Sequence, residues 1–139
     1  MNDAEIAHLA ARAVEARRWA YAPYSRYRVG AALLAASGIT YDGCNVENAA
    51  YPVTMCAERV AVFKAISEGE RQFIAIAIAT ENGGSPCGSC RQVLAEFAPD
   101  LIVLLVNGRG EVTKQTTLRE LLPDAFGPAQ LQTNDVDES

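Results

Sequence analysis

Apolar positions divide the chain into helical and extended segments. Near the N-terminus, Ile6, Leu9 and Ala13 recur at the three- and four-residue spacing of an amphipathic helix. This helix is predicted to cover residues 3–21 and to end there, because the residue before Pro23 avoids helical geometry.

Five short runs of apolar or alternating residues predict β-strands. The run at 73–80 alternates Ile with Ala, which indicates a strand with one bulky face and one small face that a helix can approach closely. The turn at 107–110 is too short for a crossover helix, so the last two strands are expected to be antiparallel. The predicted strands are 29–36, 39–45, 73–80, 101–106 and 111–115, and the later predicted helices are 56–68, 87–97 and 117–123.

The order α-β-β-α-β-α-β-β-α predicts an α/β fold in three layers, with a five-stranded mixed sheet between two layers of helices. A chain of 139 residues fits one domain with a sizeable core. We expect that domain to cover residues 1–131 and to be followed by a loose acidic tail at 132–139.

Charge and hydropathy argue against several classes of partner. The net charge is −5 and no basic run occurs, so a nucleic-acid partner is not expected. The chain has no apolar stretch long enough to cross a membrane, and the charges at 3–18 interrupt any signal-peptide core. We therefore expect a cytoplasmic protein whose cysteines stay reduced and are available for metal binding or catalysis.

Three cysteines and one glutamate form the strongest chemical signal. Cys87 and Cys90 lie one turn apart at a predicted helix start, and Cys56 lies at another. A tetrahedral zinc needs four ligands, and catalytic zinc sites keep the fourth position for water or substrate. Glu58, two residues from Cys56, is placed to handle the proton of such a water.

A closed structural zinc site is the main alternative, and a set of buried structural cysteines is another. The closed site would require Cys44 or His8 as the fourth ligand, but we expect Cys44 in the core of the second strand and His8 on the first helix. Zinc with three thiolates carries a formal charge of −1, which opposes ionisation of a bound water. We therefore predict that Arg59 donates hydrogen bonds to the ligand sulfurs, with Arg91 as a second candidate; the alternative is an ordinary solvated or ion-paired arginine.

Together these motifs resemble the small, homotetrameric, zinc-dependent cytidine deaminases. The resemblance extends over about residues 21–131. It rests on Cys-Ala-Glu-Arg at 56–59, Ser-Pro-Cys-Gly-Ser-Cys-Arg-Gln at 85–92, Ala-Pro-Tyr-Ser at 22–25, Val-Gly-Ala-Ala at 29–32, Gly-Cys-Asn-Val-Glu-Asn at 43–48 and Glu-Leu-Leu-Pro at 120–123.

The resemblance implies hydrolytic deamination of cytidine and 2′-deoxycytidine to uridine and 2′-deoxyuridine in pyrimidine salvage. Cys56, Cys87 and Cys90 would bind one zinc ion per subunit. Glu58 would move protons from water to the pyrimidine N3 and then to the leaving amine. A homotetramer with active sites shared between subunits is also implied.

The same resemblance implies the substrate contacts. Asn45 and Glu47 would hold the ribose 3′-hydroxyl, which both donates and accepts hydrogen bonds. The N–H of Ala57 would meet the pyrimidine carbonyl, and the carbonyl of Ser85 would accept from the amino group. For Asn45 and Glu47, ordinary turn chemistry after a strand is the alternative.

Three aromatic residues would form walls of the site. These are Tyr27, Tyr51 and Phe126, and the last two are expected from neighbouring subunits. Tyr27 departs from the family, which usually has Phe there, and its hydroxyl needs a partner or water. Ordinary core packing is the alternative for each aromatic.

Three other functions fit parts of the pattern. Nucleic-acid deaminases use the same zinc chemistry, but a helix makes their last two strands parallel, which the turn at 107–110 opposes. Blasticidin S deaminases share the metal motifs, although the 120–123 segment and Phe126 favour cytidine. A non-enzymatic zinc module is disfavoured by the open coordination position and Glu58.

Overall fold

The structure is a computed structural model that describes residues 1–131. The tail expected at 132–139 lies outside the described residues. The strands are β1 (Gly30–Ala35), β2 (Thr40–Cys44), β3 (Phe73–Ala79), β4 (Ile102–Val106) and β5 (Val112–Thr117). The helices are α1 (Asp3–Arg17), α2 (Ala57–Ser67), α3 (Gly88–Phe97), α4 (Leu118–Leu121) and α5 (Pro128–Leu131), with a 3-10 turn at Tyr51–Val53.

The five strands form one mixed sheet in the order β2-β1-β3-β4-β5. Only β3 and β4 are parallel among its neighbouring pairs. The β4–β5 connection is a tight turn in which Gly110 N donates to Asn107 O at 3.0 Å. The predicted α/β fold and its antiparallel last pair are confirmed. Within residues 1–131, no helix is both long and apolar enough to span a bilayer.

Helix α1 covers the small face of the sheet. Buried Ala75, Ala77 and Ala79 of β3 belong to the same apolar cluster as residues of α1. At Gly30 a Cβ would lie 2.1 Å from Ala13 O, so the backbone of β1 touches that of α1 and only glycine fits.

Helices α2, α3 and α4 cover the bulky face. Ile76 and Ile78 pack in one buried cluster that also contains side chains of these three helices. At Gly43 in β2, a Cβ would lie 2.4 Å from Ala57 O and 2.6 Å from Ala61 N. This close approach fixes the first turn of α2 against the sheet.

The structure corrects several predicted boundaries, including the ends of β5 at Thr117 and of α4 at Leu121, and adds two elements. Helix α1 ends at Arg17 instead of residue 21, because Tyr21 N donates to Asn45 O at 2.9 Å and Tyr21 pairs with Val46 in a parallel bridge. Strand β2 ends at Cys44, so Asn45 lies in a loop. The 3-10 turn and α5 were not predicted from the sequence.

Candidate active site

Two helix N-termini bring three thiols together. Cys56 caps α2 and Cys87 caps α3, while Cys90 lies in the first turn of α3. Their Sγ atoms all lie within 4.8 Å of one another. The partial positive charge of helix N-termini favours thiolates at these positions.

The thiols of this cluster shift one another's pKa. Hydrogen bonding to Cys90, and then to Arg59, lowers the pKa of Cys56 to about 5. The pKa of Cys90 is raised, first by its hydrogen bond with Cys56 and then by burial. Metal ligation requires thiolates, so a cation bound at this point would favour ionisation of all three thiols. Three soft sulfur donors converging on one point fit zinc.

The two arginines beside the motifs make different contacts. Arg59 Nη2 donates to Cys56 Sγ at 3.2 Å, and its Nε is buried without a hydrogen-bond partner among the described residues. Arg91 donates to Pro86 O at 2.9 Å, to Ser85 Oγ at 2.8 Å and to Leu121 O at 2.6 Å. Arg59 thus contacts a sulfur directly, while Arg91 holds the loop that leads into α3.

Glu58 is a buried carboxyl beside the thiols. It is the second residue of α2 and is only 5% exposed. Burial is the main cause that raises its pKa to about 7. A group with such a pKa both accepts and donates protons readily near neutral pH.

A cavity of about 270 Å³ opens beside the thiols and Glu58. Its volume suits one small ligand. Nine of the thirteen residues singled out from the sequence line it: Tyr27, Asn45, Glu47, Tyr51, Cys56, Ala57, Glu58, Ser85 and Cys87. The other four, Arg59, Cys90, Arg91 and Phe126, lie outside its lining.

Asn45 and Glu47 are buried and hold the chain that forms one side of the cavity. Asn45 Nδ2 donates to Tyr27 O at 2.8 Å, and its Oδ1 accepts from Val29 N at 2.9 Å. The carboxylate of Glu47 accepts from the backbone of residues 24–25 at 3.0 and 3.1 Å, and also from the Ser25 hydroxyl. The Ser25 hydroxyl is the main cause that lowers the pKa of Glu47.

The three aromatics occupy different places. Tyr27 lines the cavity, and its hydroxyl donates to Asn82 Oδ1 at 3.0 Å. Tyr51 lines the cavity of its own chain, which differs from the expectation that a neighbouring subunit supplies it. Phe126 is 55% exposed, and its carbonyl accepts from Gln92 Nε2 at 2.6 Å.

Sequence reasoning assigned no role to several cavity residues. Ser25 and Thr80 contribute hydroxyls, and Gly84 and Pro86 contribute backbone. Thr80 directly follows the apolar run of β3, and polar residues at the carboxyl ends of strands commonly face ligands in α/β folds. That position is the one signal that could have identified Thr80.

The chain is similar to known deaminases over most of its length. The family model described as "Cytidine and deoxycytidylate deaminase zinc-binding region" matches residues 4–106, more than half of the chain and all three thiols. A cytidine deaminase of Sporosarcina psychrophila is 49% identical over 130 residues, covering 91% of this chain and 95% of that protein. A 1.6 Å crystal structure of cytidine deaminase from Burkholderia pseudomallei matches with a TM-score of 0.83 and 46% identity, covering 91% of this chain and all of the other. A blasticidin-S deaminase of Bacillus cereus is 32% identical over 109 residues, covering 71% and 76%.

Proposed function

This chain belongs to the cytidine and deoxycytidylate deaminase family, and we propose that it hydrolyses cytidine and 2′-deoxycytidine to the corresponding uridines and ammonia. One observation carries the proposal. A buried carboxyl with a raised pKa, Glu58, lines the same cavity as two thiols of a three-thiol cluster. That arrangement combines a metal site with a proton carrier inside a cavity for a small molecule.

Cys56, Cys87 and Cys90 would hold one zinc ion per chain. Bound there, zinc would supply an activated water as the nucleophile. Arg59 withdraws electron density from the cluster through its hydrogen bond to Cys56 Sγ. Arg91 has a different role, because it bonds to Pro86 O and Ser85 Oγ in the loop before Cys87 and ties that loop to α4 through Leu121 O.

Glu58 moves the protons of the reaction. As the C4–O bond forms, it takes a proton from the attacking water and delivers it to N3. It then takes the proton of the new C4 hydroxyl and gives it to the amino group. The C4–N bond breaks, ammonia leaves and the C4 carbonyl of uridine remains. A pKa of about 7 suits both directions of transfer.

The cavity walls orient the nucleoside. Ala57 is the first residue of α2, where N–H groups have no partner within the helix, so it is free to donate to the pyrimidine carbonyl. The Ser85 carbonyl accepts from the amino group. Asn45 and Glu47 hold the ribose 3′-hydroxyl, and their bonds to the 24–29 segment fix their own orientation.

We also propose the homotetramer and the cytoplasmic location. Phe126 is largely exposed and lies outside the cavity of its own chain, so it is available to a neighbouring subunit's site. The four cysteines are free thiols, a state that a reducing compartment maintains. Sedimentation velocity measures the assembly directly, and a monomer with full activity would contradict shared sites.

Ammonia release from a panel of substrates tests the function. The panel contains cytidine, 2′-deoxycytidine, blasticidin S and a cytosine-containing RNA oligonucleotide, each assayed with the zinc content determined on the same sample. We expect the two nucleosides to be deaminated with at least tenfold higher kcat/KM than the others. Preferred turnover of blasticidin S or RNA, or a zinc-loaded protein inactive on every substrate, would overturn the proposal.

A further inference from the structure

The hydroxyl of Tyr27 begins a hydrogen-bond network that reaches the loop carrying Gly84, which also lines the cavity. It donates to Asn82 Oδ1 at 3.0 Å, and Thr80 Oγ1 donates to the same oxygen at 3.3 Å. Thr80 Oγ1 in turn accepts from Gly84 N at 2.7 Å. Each hydroxyl donates once, so a single arrangement of protons satisfies the whole network.

The network joins two cavity walls through a fixed point. Tyr27 and Gly84 both line the cavity, on segments more than fifty residues apart in sequence. Thr80 is only 3% exposed and directly follows β3, so the sheet holds it in place. Asn82 Oδ1 accepts from both the aromatic wall and this anchor, so it links Tyr27 to the loop after β3.

The Tyr27 hydroxyl also fills the space above the loop. A Cβ added at Gly84 would lie 2.7 Å from Tyr27 Oη, and 3.5 Å from Asn82 Oδ1. Oη therefore rests against the bare Cα of Gly84. Any larger residue at 84 would require the Tyr27 hydroxyl to shift, for reasons of space and not of backbone conformation.

We propose that Tyr27 is a positioning residue whose hydroxyl, through Asn82 and Thr80, holds the loop at 81–86 against the nucleoside cavity. The inference rests on the proposed function, because this loop carries Ser85, whose carbonyl accepts from the substrate's amino group. Without its hydroxyl, the Tyr27 ring would still line the cavity but would not bond to Asn82. The hydroxyl adds the contact that holds this loop beside the ring.

Tyr27→Phe removes the hydroxyl and keeps the ring. We expect KM for cytidine to rise about three- to tenfold, the effect of one net hydrogen bond, with kcat changed less than about twofold. The split arises because the variant leaves the thiols and Glu58 in place. Hydrogen exchange of the amides of residues 81–85 should accelerate. Tyr21→Phe is the matched control, because that exposed hydroxyl has no hydrogen bond among the described residues.

Variants at Asn82 test whether the hydroxyl acts through this network. Asn82→Ala should raise KM as Tyr27→Phe does, and the double variant should be no worse than the more affected single variant. Asn82→Asp keeps an acceptor oxygen and should restore KM to within about twofold of wild type.

Gly84→Ala provides a test in the opposite direction. Its methyl group would collide with Oη, so we expect KM to rise more than in Tyr27→Phe. Adding Tyr27→Phe to Gly84→Ala removes the colliding atom and should lower KM again. Recovery by a second substitution is not expected from two independent structural defects.

Two outcomes would overturn the role of the hydroxyl. One is an unchanged KM with unchanged exchange of the amides at 81–85 in Tyr27→Phe, and the other is effects of Tyr27→Phe and Asn82→Ala on KM that multiply. A wild-type protein that turns over no cytidine would instead overturn the proposed function. In that case hydrogen exchange still reports whether the hydroxyl orders the loop.

Discussion

Gly43→Ala is expected to damage the active site by displacing α2, the helix that carries Glu58. Its Cβ would meet Ala57 O at 2.4 Å and Ala61 N at 2.6 Å, atoms of the α2 backbone that no side-chain rotation can move away. To restore ordinary contact, α2 and β2 must separate by about 1 Å. Glu58 lies in the first turn of α2 and lines the cavity, so this shift displaces its carboxyl group from the position it holds in the wild-type protein.

Two magnitudes follow from that displacement. Overpacking of a buried contact costs about 1–3 kcal/mol, so we expect the free energy of unfolding to fall by about 2–3 kcal/mol. A misplacement of about 1 Å at a reacting group lowers turnover by about 10²-fold. Because α2 positions Glu58, kcat/KM for cytidine should fall about 10²-fold at temperatures where the variant is still folded.

Urea unfolding and steady-state cytidine turnover at 25 °C measure the two effects. Gly38→Ala is the control, because a Cβ there meets no atom within 4 Å while the φ of +93° makes alanine strained. It should lose about 1 kcal/mol of stability and keep wild-type kcat/KM. Wild-type turnover in Gly43→Ala, or an equal loss of turnover in Gly38→Ala, would refute the link between this glycine and Glu58.

Two further substitutions test the surroundings of the site. Arg59→Gln should weaken zinc binding about 10–100-fold in competition with a chelator and lower kcat, because the thiolates lose a charged donor; unchanged zinc affinity and turnover would contradict this role. Hydrogen bonds from Ser25 keep the pKa of Glu47 below its ordinary value of 4.5, so the stability from this contact is complete above that pH and is lost as the pH falls further. Ser25→Ala should therefore unfold at a higher pH than wild type during acid titration. Much of this difference in unfolding pH should vanish when the same substitution is made in a Glu47→Gln background. An equal difference in both backgrounds would show that Glu47 is not the group concerned.

Local sequence patterns specified the metal site better than the cavity walls. The three-residue spacing of Cys87 and Cys90 places both on one helical turn wherever a helix begins there, and the alternating Ile and Ala of β3 identify the two faces of the sheet. These features depend on residues close together in sequence.

The remaining parts depend on contacts between distant segments. The end of α1 is set by the bridge between Tyr21 and Val46, not by its own periodicity. The bonds that Asn45 makes to the 27–29 backbone, and the bond from Tyr27 to Asn82, join segments that only the tertiary fold brings together. No periodicity or motif could have indicated which partner each polar side chain takes.

The most direct test of the central claim, that Glu58 carries the protons of the reaction, is cytidine turnover by Glu58→Gln. Loss of cytidine is followed by ultraviolet absorbance, and zinc per chain is measured on the same sample. Glu68→Gln, at the exposed end of the same helix, serves as the control and should behave as wild type. We predict that Glu58→Gln retains one zinc per chain and loses about 10²–10⁴-fold in kcat. A zinc-loaded Glu58→Gln protein that deaminates cytidine at a near-wild-type rate would contradict the account.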